Sequence, residues 1–342
     1  MTTPRPYRTC IVGFGKIAAG YAADPVMARH YRYTTHSQVL QNHARFQWIA
    51  AVDPLPAALA MAREIDSAVE TAGEVSDLKA GRDAEILVLA NPPGPGRLEA
   101  LKAFPNLRAV LVEKPLGRTF AEAQAFLDAC AARKIVVQVA LWRRADPAFR
   151  KLADGQLSDL IGPLQAGHAL YGNGLRNNGV HLVDMIRMLC GEIAAVQAVS
   201  TATTPAGLPI PGDIQVDAAL NLANGRTVFL SALDFKSYRE VGLDLWGQTG
   251  RLSVWQEGLL ISHASRAANR AMSGEREIAS DTPQTLPSTV GEAFWHLYDD
   301  LAQALDSGRP PCSPGESALV SERVIEAIVE SARTGARQSP IS

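Results

Sequence analysis

The residues Gly13-Phe14-Gly15-Lys16-Ile17-Ala18 end the apolar run Thr9-Cys10-Ile11-Val12 and have the spacing of an anion-binding turn. Gly13 permits a tight turn, Gly15 lets the main chain approach a pyrophosphate, and Ala18 is small enough for a following helix to pack on the strand. Unpaired N–H groups and the helix dipole favour phosphates at such a helix start. Phe14, Lys16 and Ile17 complete the cofactor-contacting turn. A second residue of this kind is Asp53, which closes the apolar run Trp48-Ile49-Ala50-Ala51-Val52. A carboxylate there accepts hydrogen bonds from an adenosine ribose and repels a 2′-phosphate, so NAD is favoured over NADP. It could equally cap the helix after Pro54.

These residues need strands and helices to place them. Residues 16–23 read as a short helix. Asp53 lies 40 positions after Gly13, where about 20 is usual. The excess falls on 24–35, a polar and aromatic insertion holding Arg29, His30, Tyr31, Arg32 and Tyr33. It reads as a surface loop in the first crossover, with a lid as the functional alternative. Residues 56–64 suit a helix, and 85–90 form an apolar run of the kind buried on both faces of a sheet. That run breaks at Asn91-Pro92-Pro93-Gly94, which puts Asn91 and Pro92 where a cofactor lies in an open α/β sheet. The strand at 108–112 delivers Glu113-Lys114-Pro115 to the same edge. A helix at 119–134, capped by Thr119, and a strand at 135–140 follow. Alternation of this kind predicts an α/β fold: an N-terminal Rossmann domain over 1–140 with a doubly wound parallel sheet.

Beyond residue 140 the pattern changes. After a short helix at 146–153, a strand runs from Gly162-Pro163 to Tyr171, and a helix at 181–189 ends at Gly191. Strands follow at 196–204, 215–222, 227–234, 240–247 and 252–256. Residues 266–288 read as a loop, and helices at 293–305 and 316–334 close the chain. Residues 141–342 are therefore expected to form an α+β domain for substrate binding and oligomerisation. It has a large, mainly antiparallel open sheet, with the C-terminal helices of 293–334 included.

Composition narrows the function. With 33 Lys+Arg, 35 Asp+Glu and a formal charge of −2, no basic patch suits nucleic acid. The widely spaced Cys10, Cys130, Cys190 and Cys312 suggest neither a zinc site nor a disulfide framework, and read as reduced thiols. The N-terminal Met1-Thr2-Thr3-Pro4-Arg5-Pro6 has no apolar leader, and no run is long enough to span a membrane. A cytoplasmic protein without metal, nucleic acid or membrane partner is the expectation.

Glu113-Lys114-Pro115 and Asn177-Asn178-Gly179-Val180-His181-Leu182-Val183-Asp184, in this order after the glycine turn, resemble the glucose-fructose oxidoreductase / inositol dehydrogenase / MocA (Gfo/Idh/MocA) family. The tail resembles it too, in Gly315-Glu316-Ser317-Ala318 and Ser331-Ala332-Arg333-Thr334-Gly335. The resemblance implies that Lys114 and His181 meet at a nicotinamide and that the Lys114–Pro115 bond is cis. Histidine suits removal or supply of a hydroxyl proton, and an ammonium stabilises alkoxide character on the same oxygen. The family's carboxylate four residues before the histidine is Asn177 here, which can position a hydroxyl but cannot take its proton. Gly96 stands near a place where relatives often carry a histidine. Trp142, Arg143, Arg144, Tyr171, Asn173, Arg176, Asn178 and Asp184 are candidate substrate contacts, Asp184 also as an orienter of His181.

The activity implied is NAD(P)-dependent hydride transfer to or from a ring carbon of a sugar, sugar derivative or cyclic polyol. A homodimer or homotetramer through the second-domain sheet is implied as well. A cofactor-binding regulator without turnover stays open as the alternative.

Overall fold

The computed structural model describes residues 5–340, so Met1–Pro4 of the stretch read for a leader lie outside the described residues. The chain divides into two compact units, Met1–Asp146 with Gly291–Leu319, and Pro147–Val290 with Val320–Ser342.

In the first unit, strands β1 (Tyr7–Val12), β2 (Phe46–Val52), β3 (Glu70–Ala72), β4 (Ile86–Leu89), β5 (Ala109–Val112) and β6 (Val136–Val139) form one sheet in the order β3-β2-β1-β4-β5-β6. Every pair is parallel. The apolar runs are continuous because successive side chains enter different cores. Cys10, Leu87, Leu89, Val110 and Val112 pack on one face, and Ile11, Ile86, Val88 and Leu111 on the other, as a sheet covered on both sides requires. The crossover helices are α1 (His36–Asn42), α2 (Pro56–Ile65), α3 (Pro95–Ala103) and α4 (Phe120–Ala132). The Thr119 side chain caps α4 by accepting from Glu122 N–H.

Two expectations are corrected here. Residues 16–23 do not form an α-helix: Gly20 and Tyr21 N–H groups reach back five residues to Gly15 and Lys16 carbonyls, and only one 3₁₀ turn, Gly20–Ala23, follows. The helix of the first crossover is instead α1, after the insertion, where Thr35 accepts from Gln38 N–H. The insertion itself is a built turn. Asp24 Oδ1 accepts from Val26 and Met27 N–H, and Arg32 N–H donates to Gly291 O at 2.9 Å. Secondly, the helix Ala293–Ser307 belongs to the first unit, not to the second domain. Its apolar stripe of Phe294, Leu297, Tyr298 and Leu301 joins Tyr7, Phe46 and Trp48 in one core, a match set by helical spacing. The first boundary accordingly falls after Asp146, and the last one falls inside the helix Gly315–Thr334.

In the second unit, α5 (Pro147–Lys151), α6 (Leu157–Ile161) and α7 (Val180–Cys190) accompany a nine-stranded sheet. Its strands are β7 (Leu164–Tyr171), β8 (Ile193–Ala198), β9 (Ala218–Leu222), β10 (Thr227–Ala232), β11 (Gly242–Gly247), β12 (Gly250–Trp255), β13 (Leu260–Ala268), β14 (Arg276–Ile278) and β15 (Gln284–Leu286). The order is β14-β13-β12-β11-β7-β10-β9-β8, with β15 on β13. Only β7 and β10 run parallel; the other pairs are antiparallel. One face is covered and the other open: in β10, Val228 and Leu230 are buried while Phe229 between them is 49% exposed. Residues 266–288, expected as loop, contain the end of β13 and all of β14 and β15. Their short, polar, exposed strands leave too little alternation to be read. Among the described residues no helix is long and apolar enough to cross a membrane.

Candidate active site

The carboxyl ends of β1, β2, β4 and β5 are level. Val12 pairs with Val52 and with Leu89, and Leu89 pairs with Val112. The residues that follow, Gly13, Asp53, Asn91 and Glu113-Lys114, therefore share one edge of the sheet. Gly13 has φ +89°, and a Cβ there would lie 2.4 Å from Asn91 N, so both the turn and the close approach of two strand ends demand glycine. A Cβ on Gly15 would meet nothing within 4 Å. The Asn91 Oδ1 atom is buried without a hydrogen-bond partner. An open cradle at the second glycine and an orphaned acceptor on the residue packed against the first fit a dinucleotide, which Gly13, Gly15, Asn91, Glu113 and their neighbours would hold.

Asp53 has a task the ribose expectation omits. Its Oδ2 accepts from Phe14 N–H at 2.7 Å and its Oδ1 from Leu55 N–H at 2.9 Å, so the carboxylate ties the glycine turn to the end of β2. The Phe14 side chain is buried and stacks on Trp48, with centroids 5.6 Å apart. Lys114 is half-buried and its bond to Pro115 is cis, as the resemblance implies.

In the second unit, a wide helical turn at Leu175–Gly179 leads into α7. Asp213, 2% exposed, organises it by accepting from Arg176 N–H at 3.0 Å, Asn177 N–H at 3.0 Å and Ile214 N–H at 2.8 Å. A Cβ on Gly174 would fall 2.1 Å from Asp213 Oδ2, so glycine is required there. The Asn177 amide donates to Asn173 O at 3.1 Å. His181 is half-buried in the first turn of α7.

Several expected substrate contacts are placed elsewhere. Tyr171 is fully buried on the covered face of β7. Its hydroxyl donates to Val216 O and accepts from Val216 N–H, so it is a core residue and not a hydroxyl reader. Burial pushes that phenol up, well above its ordinary range. Asp184 is buried too, accepting from Ser321 at 3.0 Å, 3.8 Å from Arg187; its carboxylate serves the packing of α7. Arg143 is buried with its guanidinium 4.0 Å over the Trp142 ring, so that aromatic face is occupied by the chain itself. Arg144 and Asn173 stay half-buried, and Asn178 is buried with Oδ1 unpartnered.

The N-terminal model of the Gfo/Idh/MocA oxidoreductases, described as an NAD-binding Rossmann fold, matches residues 7–141, and the model of their C-terminal alpha/beta domain matches residues 170–341. The chain belongs to the Gfo/Idh/MocA oxidoreductase family. Residues 7–141 are thus the family's NAD-binding Rossmann fold, and Gly291–Leu319, part of the same compact unit, falls within the stretch matched by the C-terminal model. The rhizopine catabolism protein MocA of Rhizobium meliloti is 28% identical over 200 residues, which span 54% of this chain and 62% of that protein. Among solved structures, the WlbA dehydrogenase of Bordetella pertussis, in complex with NADH and UDP-GlcNAcA, superposes with a TM-score of 0.73 at 21% identity over 98% of this chain and 99% of the other. A super-repressor mutant of Gal80p from Saccharomyces cerevisiae gives 0.70 at 15% identity over 98% and 97%.

In this Gfo/Idh/MocA chain, sequence reasoning passed over the residues that support the sheet edge. His36 is fully buried, with Nδ1 2.8 Å from the Tyr298 hydroxyl and Nε2 3.2 Å from Glu113 Oε1. Burial first, and the Glu113 carboxylate second, push the Tyr298 phenol well above its ordinary range. Arg97, 2% exposed, donates to Pro115 O at 2.7 Å, Leu116 O at 3.0 Å and Asn91 O at 2.7 Å. One guanidinium thereby joins the two loops that leave β4 and β5. Arg97 directly follows Gly96, the departure noted in the sequence, but neither its burial nor its partners leave a local mark.

Proposed function

We propose that this chain transfers a hydride between NAD and a ring hydroxyl or carbonyl of a sugar, a sugar nucleotide or sugar acid, or a cyclic polyol. The observation that carries the proposal is the placement of Lys114 at the carboxyl edge of β5, level with the glycine turn and Asn91. When bound, the nicotinamide supplies or accepts the hydride. In the oxidative direction His181 removes the hydroxyl proton, and in reduction it returns it. Lys114 hydrogen-bonds the reacting oxygen and stabilises its developing charge. Asn177, held by Asp213 and Asn173, positions that oxygen without exchanging a proton. Arg144, Asn173 and Asn178 are the remaining candidates for contacts to the substrate.

The open face of the second-unit sheet, to which Phe229 contributes, is the proposed interface of a homodimer or homotetramer, since it would otherwise leave apolar surface in water. The cytoplasm is the proposed compartment. A second reading, a cofactor-binding regulator without turnover, is favoured by one observation: Asn177 replaces the carboxylate that would share the proton work.

The test is a panel of sugars, inositols, sugar acids and sugar nucleotides followed at the NADH absorbance, with Lys114→Ala and His181→Ala alongside. Turnover lost in both variants supports the assignment. Turnover insensitive to both refutes it, and NADH binding without turnover on any substrate favours the regulator.

A further inference from the structure

The sheet edge carries a hydrogen-bond chain that the reaction as proposed does not use. Among the described residues, the Tyr298 hydroxyl makes a single side-chain hydrogen bond, to His36 Nδ1. Tyr298 is fully buried, so a phenolic proton pointing elsewhere would go unsatisfied, which is costly in a dry interior. Tyr298 therefore donates and Nδ1 accepts. An imidazole accepting at Nδ1 carries its proton at Nε2, because the hydrogen bond made by one ring nitrogen sets the state of the other. That Nε2–H points at Glu113 Oε1, 3.2 Å away. The chain thus runs one way, from phenol to imidazole to carboxylate.

Its far end opens outward. The His36 side chain is 0% exposed and that of Glu113 is 13% exposed. Glu113 Oε2 has no hydrogen-bond partner among the described residues, nor is it among their buried unsatisfied atoms. One oxygen of Glu113 is held from inside the protein and the other is presented at the edge shared with the glycine turn. Phe294 and Tyr298 pack against the imidazole at centroid distances of 5.2 and 5.9 Å, which holds the ring in place.

We infer that Tyr298 and His36 are positioning residues that aim Glu113 Oε2 as a hydrogen-bond acceptor for a hydroxyl of the bound dinucleotide. The inference deepens the proposed function and rests on its placing of the cofactor at this edge. It requires no turnover, so its fate can be read apart from that of the hydride-transfer reading.

The test is a double-mutant cycle on the full chain, read as NADH affinity by fluorescence below the melting temperature of every variant. Glu113→Ala and His36→Leu are each expected to weaken NADH about tenfold, the loss expected of one hydrogen bond to a charged group. The double variant is expected to be no weaker than either single one, because His36 acts through Glu113. A merely structural role for His36 would give additive losses, about a hundredfold in the double variant, and would overturn the inference. So would His36→Leu binding NADH as the parent does. If leucine at 36 prevents folding, Tyr298→Phe enters the cycle in its place, with the same non-additivity expected and the same additivity fatal. His36→Gln, which keeps an N–H donor for Glu113, is expected to stay within about threefold of the parent. A second readout needs no cofactor: nitrogen-15 spectra of histidine-labelled protein are expected to show His36 as the Nε2–H tautomer, and an Nδ1–H tautomer would refute the direction of the chain.

Discussion

The two glycines of the turn should fail in opposite ways when each is changed to alanine. At Gly13 the backbone is left-handed, with φ +89°, and a Cβ would lie 2.4 Å from Asn91 N, 2.6 Å from Asn91 Cα and 2.8 Å from Ala90 C. The left-handed conformation costs a residue with a Cβ about 1–2 kcal/mol. The overlap is with main chain at the end of β4, which no rotamer change relieves, and overpacking of this kind costs about 1–3 kcal/mol. The total of roughly 2–5 kcal/mol corresponds to a melting temperature lowered by roughly 5–15 °C for a unit of this size. Gly15 has no positive φ and no atom within 4 Å of a Cβ, so Gly15→Ala should melt within a degree or two of the parent. Its methyl group, however, enters the space through which the backbone reaches the pyrophosphate. Losing one or two charge-assisted contacts there weakens NADH by roughly a hundredfold. Thermal melts without cofactor and NADH titrations on both variants decide the matter. Gly15→Ala binding NADH within twofold of the parent would falsify the placement of the dinucleotide, and a Gly13→Ala protein of unchanged melting temperature would refute the steric reasoning.

Four other outcomes are expected. Tyr171→Phe should destabilise the second unit by about 1–3 kcal/mol through the unpaired Val216 groups and leave KM for any substrate unchanged; a raised KM in a protein of unaltered stability would restore the role read from the sequence. Arg97→Met should speed hydrogen exchange at the amides of Asn91 and Gly94 and of Leu116, Gly117 and Arg118 together, since one guanidinium holds both loops, and an effect confined to one loop would refute the clamp. The Cys130 thiol, buried and pushed up to about 12 by burial, should resist thiolate-selective alkylation until the protein unfolds. Hydrogen bonds from Arg45 first and Tyr7 second hold Asp306 below its ordinary value of 3.8. A depressed carboxylate contributes stability above that value and loses it as pH falls through the lowered one. Acid melting curves of Asp306→Asn should therefore be flatter than the parent's below about pH 4, and parallel curves would discount the pair.

What was legible in the sequence followed chain-local rules, and what was missed depended on groups brought in from afar. Strands β1, β2, β4 and β5 announce themselves because a strand buried on both faces is apolar at every position, and the residues just past them inherit their places at the edge. Tyr171 is misleading for a related reason. It sits next to the glycine- and asparagine-rich turn, where polar tips read substrates in many proteins, yet strand alternation turns it inward, toward Val216. Asp53 shows the limit more sharply: its position at the end of β2 was readable, but its partner Phe14 N–H lies 39 residues away and is a main-chain group without sequence identity. The helix Ala293–Ser307 follows the second-unit strands in sequence, yet its apolar stripe packs in the core of the first unit, and no property of the stripe alone names its partner. His36 is the extreme case. It lies 77 residues from Glu113 and 262 from Tyr298, immediately after the stretch 24–35 whose polar and aromatic composition reads as surface. The residues that face a ligand sit at strand ends and turns, which have local signatures. The residues that aim them are held by tertiary hydrogen bonds, whose specificity resides in geometry and not in residue type.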